Sequence, residues 1–210
     1  MELKKGSESI ISHMKEMRRV VQSIGDNKYD CLSKTEWLQL YSSMDVIDDS
    51  QCAIDFYKRS DFPATPDSYL YIYGLMQALY LQQDAVNTIR KLVNLKYSCH
   101  EQFDTLEIIR NYRNDATGHP TNRNENGNIR YVRLIRSSIE KRGFSYAKTG
   151  GKMETEYIDL FKVIEEQESF LSCSILEIIG QFQRIESQGA KPKQKDSLIF
   201  QRPFENENNA

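Results

Sequence analysis

Within seven residues, the segment Arg113-Asn114-Asp115-Ala116-Thr117-Gly118-His119 gathers a guanidinium, an amide and an imidazole. Together these groups suit a phosphodiester. A guanidinium grips phosphate through paired N–H bonds, and an imidazole gives or takes a proton near neutral pH. Spacing decides whether they can meet. On an unbroken helix, six steps of about 100° would set Arg113 and His119 on different faces. Gly118 and Pro120 argue for a helix end instead, because glycine accepts the left-handed conformation just past a helix and proline cannot continue one. His119 then turns back beside the last helical turn, where Arg113 and Asn114 point. The structural alternative has Arg113 capping helix-end carbonyls or pairing with Asp115, with His119 packing in the turn.

Positioning this motif requires a helix over residues 104–118, with Leu106, Ile109 and Tyr112 or Arg113 along its inner side. Three helices precede it. Leu3, Ile10, Ile11, Met14, Met17, Val20, Val21 and Ile24 form one stripe, ended by Gly25 and Asp26. Ser33 and Glu36 stand in capping-box spacing before Trp37, Leu40, Tyr41, Met44, Ile47 and Ile54, predicting a helix to about residue 58. After a connector, Thr65 reads as an N-cap with Pro66 at the first helical position of a third helix of about thirty residues, through Tyr69, Ile72, Tyr73, Met76, Tyr80, Val86, Ile89 and Val93. Beyond a polar loop at 121–128, the runs YVRLIR, GFSYAK and METEYIDL, with Gly150-Gly151 between the last two, predict a small β-hairpin within about 129–158. From Asp159, helical spacing returns in Leu160, Phe161, Ile164, Leu171, Ile175, Ile178, Phe182 and Ile185. The expected fold is all-α: an up-and-down bundle of four to five helices over residues 1–187 with a small β-hairpin insertion. Residues 188–210 are polar and lysine-dotted, with one apolar island at 198–200, and read as a flexible tail or docking arm.

A chain of 210 residues, 39% hydrophobic and 28% charged, suits one soluble globular domain, and its net charge of −2 gives no global pull toward nucleic acid or anionic lipid. Locally the balance differs. From Arg110 to Lys152 there are ten basic residues (110, 113, 123, 130, 133, 136, 141, 142, 148 and 152) against three acids (115, 125 and 140). That surplus marks Arg110, Arg123, Arg130, Arg133 and Arg136 as candidate RNA-backbone contacts, with Tyr131, Phe144 and Tyr146 for base stacking; the plainer reading is a solvated hairpin face. Gln83, on the apolar stripe of the third helix, is expected either to face the motif or to bridge core groups by hydrogen bonds. Tyr69, Tyr73 and Tyr80 read as core or dimer face. Cys31, Cys52, Cys99 and Cys173 form no CxxC pair and read as reduced thiols; with no secretory or membrane-spanning run, a cytoplasmic location is expected. Cys99-His100 lacks a second ligand pair at zinc spacing, so neither metal nor cofactor is expected. No GxxxxGK[ST], GxGxxG, HExxH or GxSxG pattern occurs, which leaves P-loop, Rossmann, zincin and hydrolase-elbow chemistry unsupported.

Arg113, then five intervening positions of which Asn114 is the first, then His119 resemble the HEPN superfamily, whose mark is Arg, usually followed by a polar residue, with His after four to six intervening positions. The resemblance covers the helical layout of roughly residues 1–185, and its specific part is the seven-residue motif. It implies a compact helical bundle, a homodimer with both motifs facing one cleft, and metal-independent RNA cleavage in toxin–antitoxin, abortive-infection or CRISPR settings, with an antitoxin or nucleotidyltransferase as partner. Some members of that superfamily are catalytically silent and only bind RNA or partners. A helical protein–protein interaction scaffold, with residues 113–119 structural, is the alternative from another class.

Overall fold

In α1 (Glu2–Asp26), the stripe buries Ile10, Met14, Met17, Val20, Val21 and Ile24 as its spacing demands, whereas Ile11, a step round from Ile10, is 43% exposed. The computed structural model describes residues 2–26, 31–62, 67–95, 104–113, 123–125, 128–149 and 153–188. Helix α2 (Lys34–Arg59) starts at the expected capping box: Ser33 Oγ accepts from the Glu36 N–H at 3.3 Å, and Glu36 Oε2 accepts from the Ser33 N–H at 2.7 Å. In α3 (Ser68–Leu92), shorter than expected, the N-cap position is Asp67; Thr65 and Pro66 lie outside the described residues. Its buried stripe runs through Ile72, Leu75, Met76, Leu79, Val86 and Ile89, with Tyr69, Tyr73 and Tyr80 only partly covered at its border. Helix α4 (Asp104–Tyr112) continues one residue further, in a wider turn, to Arg113. Helix α5 (Leu160–Ser187) is capped by Asp159, whose Oδ1 accepts from the N–H groups of Phe161 and Lys162 at 3.1 and 3.2 Å.

Pairing follows the apolar faces. Helix α2 lies along α3, and α5 packs against α1, α3 and α4. Between α4 and α5 the chain forms β1 (Arg123–Glu125), β2 (Asn128–Leu134), β3 (Gly143–Thr149) and β4 (Met153–Asp159), an antiparallel sheet in the order β1-β2-β3-β4. This corrects the expected hairpin: the molecule is mostly helical with a small antiparallel sheet. The physical reason lies in β2. Its even-numbered positions lie on the apolar face of β3, Leu134 opposite Tyr146, so the YVRL part of YVRLIR joins the sheet as a full strand. The inward face buries Val132, Phe144, Tyr146 and Ile158, which merge with the helical core. At the start of β3, a Cβ on Gly143 would stand 1.9 Å from the Ile158 carbonyl oxygen, so only glycine allows that approach. Among the described residues no helix is long and apolar enough to cross a membrane.

Candidate functional site

Helix α4 is anchored by Ile109 (0% exposed) and Tyr112 (3%), which orients the rest of its last turn. Arg110 and Arg113, three residues apart, share the side facing α3. There α3 presents Gln77, Tyr80, Gln83 and Asp84, whose spacing keeps them along one flank of the helix. Arg113 Nε donates to Gln77 Oε1 at 3.2 Å, and its Cζ lies 4.7 Å from the centroid of the Tyr80 ring. Arg110 Cζ lies 5.2 Å from the same centroid, its Nε donates to Gln83 Oε1 at 3.0 Å, and its Nη2 is 2.5 Å from Asp84 Oδ1. Two guanidinium groups therefore share one aromatic ring, and Asp84 supplies a carboxylate counter-charge to Arg110. This is an electropositive cradle on rigid elements, of a kind that attracts phosphate.

Asn114 and His119 lie outside the described residues, so of the predicted motif only Arg113 is placed. Arg123 and Arg130 are register partners across β1 and β2; their side chains, like that of Tyr131, lie outside those described. Arg133 on β2 and Arg136 in the 3-10 turn Arg136–Ser138 are exposed beside the cradle's sheet. Of the remaining cations of the basic run, Lys152 lies outside the described residues and the other three are occupied by the fold. Lys141 Nζ donates to the Ser60 carbonyl at 2.5 Å, Arg142 pairs with Asp159 at 2.8 Å, and Lys148 pairs with Glu156 at 2.6 Å.

Phe144 and Tyr146 are not stacking platforms. Both are buried, with ring centroids 5.7 and 4.1 Å from that of Tyr112 in edge-on contacts. They form the floor that carries α4. Burial pushes the Tyr146 hydroxyl well above the usual phenol range, and its hydrogen bond to Glu156 reinforces the shift. The hydroxyl of Tyr112, immediately before Arg113, is buried and has no hydrogen-bond partner among the described residues.

Gln83 is the hydrogen-bond bridge of the two readings, and the arginine it meets is Arg110, one turn ahead of the motif. Gln83 is fully buried, bridges to Gln167 of α5, and still reaches Arg110. Sequence reasoning missed Gln77, the role of Tyr80 as an arginine platform, and the hydrogen-bonding roles of Gln51, Gln82 and Gln167. A signal existed for the last three, since each is an amide on an apolar stripe. Among the described residues no group of three or more His, Cys, Asp or Glu is placed to hold a metal ion. No protein-family model matches the chain, and no curated protein or solved structure gives a significant match to it.

Proposed function

We propose that this chain is a HEPN-type, metal-independent endoribonuclease of a toxin–antitoxin or other defence setting, acting in the cytoplasm as a homodimer. What supports the reading is the pair Arg110 and Arg113 over Tyr80 at the end of α4, just ahead of the Asn114 and His119 of the motif. Cleavage uses the RNA's own 2′-hydroxyl. A base takes its proton, O2′ attacks phosphorus, the P–O5′ bond breaks, and the leaving oxygen is protonated. One imidazole cannot serve as base and acid in the same step, so His119 of each protomer takes one task, while Arg113 stabilises charge on the phosphorane. The products carry 2′,3′-cyclic phosphate and 5′-hydroxyl ends.

The test is cleavage of a mixed pool of labelled RNA in chelator by wild type, His119→Ala and Arg113→Ala, with analysis of the product ends. Wild type should give cyclic-phosphate ends, and each variant should be slower by about 100-fold or more. Activity that survives His119→Ala sinks the mechanism. The second reading is a silent RNA-binding module, and the exposed pair Arg133 and Arg136 favours it. Salt-sensitive RNA binding without cleavage by wild type would select that reading.

A further inference from the structure

A continuous chain of buried side-chain hydrogen bonds leads away from Arg110 through the core. Arg110 Nε donates to Gln83 Oε1 at 3.0 Å, Gln83 Nε2 to Gln167 Oε1 at 2.9 Å, Gln167 Nε2 to Gln82 Oε1 at 3.1 Å, and Gln82 Nε2 to Gln51 Oε1 at 2.9 Å. Gln51 Nε2 then donates to Glu168 Oε1 and Asp55 Oδ1, each at 3.1 Å, beside Lys58. Gln82, Gln83 and Gln167 are 0% exposed, and Gln51 and Glu168 are 3% exposed. The relay touches all five helices, since Ser7 of α1 also donates to Glu168 at 3.1 Å.

The direction of this relay is its informative property. Each amide turns its oxygen toward the arginine end and its nitrogen toward the carboxylate end. Arginine can only donate and an ionised carboxylate can only accept, so the two ends impose one polarity on everything between. Reversing any single amide would set N–H against N–H on one side and oxygen against oxygen on the other, with no water to repair the mismatch. Gln83 presents its oxygen to Arg110 because its nitrogen is already committed to Gln167.

We infer that Gln167, which contacts neither arginine, is a positioning residue for the Arg110–Arg113 pair and acts on it through Gln83. Holding Nε of Arg110 fixes that guanidinium beside Tyr80, and Arg113 takes its place on Gln77 and the same ring. Asp84 keeps Nη2 of Arg110 in any case; the relay determines the remaining orientation. That this orientation tunes the grip on a phosphate rests on the ribonuclease reading, whereas the positioning itself does not.

The test reads the arginine directly. Hydrogen exchange of the Arg110 Nε–H is followed by NMR in wild type, Gln167→Met and Gln167→Glu, with Arg18 as reference, because its Nε donates to Asp48 at 3.1 Å outside the relay. Methionine offers Gln83 no more than a weak thioether acceptor, whereas a glutamate, kept neutral by burial, still accepts from Gln83 Nε2 and can donate its O–H to Gln82 Oε1. Exchange at Arg110 should therefore quicken about tenfold in Gln167→Met and stay within about twofold of wild type in Gln167→Glu, with Arg18 constant. An unchanged Arg110 in Gln167→Met overturns the inference, as does an equal rise at Arg110 and Arg18 in both variants, which would mean general loosening. If Gln167→Met does not fold, wild type decides. Slow exchange of the Gln83 side-chain amide protons together with Arg110 Nε–H supports the relay, and exchange at the free-glutamine rate overturns it. A wild type that fails to cut RNA removes the ribonuclease reading and leaves these outcomes intact.

Discussion

Arg113 uses two properties that lysine lacks, an Nε donor for Gln77 and a flat cation for the Tyr80 face. Charge alone should therefore not rescue the position. Arg113→Lys is expected to weaken RNA binding about tenfold at fixed salt, nearly as much as Arg113→Ala. Filter binding at two salt concentrations checks this, and near-wild-type affinity for the lysine variant would reduce the residue to a mere positive charge. Two glycines give a contrast in which backbone and space are the only variables. A methyl on Gly143 collides with the Ile158 carbonyl at 1.9 Å, and a carbonyl in a β ladder cannot step aside; at Gly74, on the exposed side of α3, an added Cβ meets nothing within 4 Å. Urea unfolding should show Gly143→Ala destabilised by about 2–3 kcal/mol and Gly74→Ala stabilised by about 0.5–1 kcal/mol. A Gly143→Ala protein as stable as wild type would contradict the tight β3–β4 approach.

At the scale of elements, the helices were readable wherever local chemistry and periodicity agreed. The capping box Ser33–Glu36 marked the start of α2, the stripe from Ile10 to Ile24 marked α1, and Asp159 marked the start of α5. The sheet was only half readable, because a strand is recognisable by alternation while its partner is decided by tertiary packing. Phe144 and Tyr146 looked available for bases when assigned to a lone hairpin; the third strand and α4 give their face something to bury against. In the same way, the candidate motif announced Arg113, but no spacing rule could announce that Gln77 and Tyr80, more than thirty residues upstream, would receive it. The cap of α5 gives a pH-dependent prediction. Desolvation raises the Asp159 carboxyl, but the N–H bonds from Lys162 and Phe161 and the charge of Arg142 outweigh it, so the group lies below the usual carboxylate range. A lowered folded-state value means stability that is present above the unfolded value and lost as pH falls through the folded one. Asp159→Ala should cost about 1 kcal/mol at pH 7, and its deficit against wild type should shrink as pH drops below about 4. A deficit constant from pH 7 to pH 2.5 in thermal melts would rule out the ionised cap as its source.

For the molecule as a whole, the polar relay and the apolar core are two organising systems in one bundle, and they fail differently. Apolar contacts are redundant, so losing one leaves a void whose cost is local. The relay ends in charges that cannot be left alone. Lys58 Nζ contacts Glu168, lies 3.4 Å from Asp55 and takes part with Ser7 at 2.5 Å, and the Lys58 and Glu168 side chains are only 9% and 3% exposed. Removing the ammonium leaves two carboxylates in a site held by α1, α2 and α5, which is far costlier than the pair is worth as a stabilising contact. Lys58→Met is therefore expected to destabilise the fold by about 3–5 kcal/mol, while adding Glu168→Gln to the same chain, which removes one of the stranded charges and keeps a hydrogen-bonding side chain, should restore more than half of that loss. Equilibrium urea unfolding of wild type, both single variants and the double variant closes the cycle. Additive losses in the double variant would mean that Lys58 and Glu168 act independently, and the anionic end of the relay would then have no hold on the amides between it and Arg110.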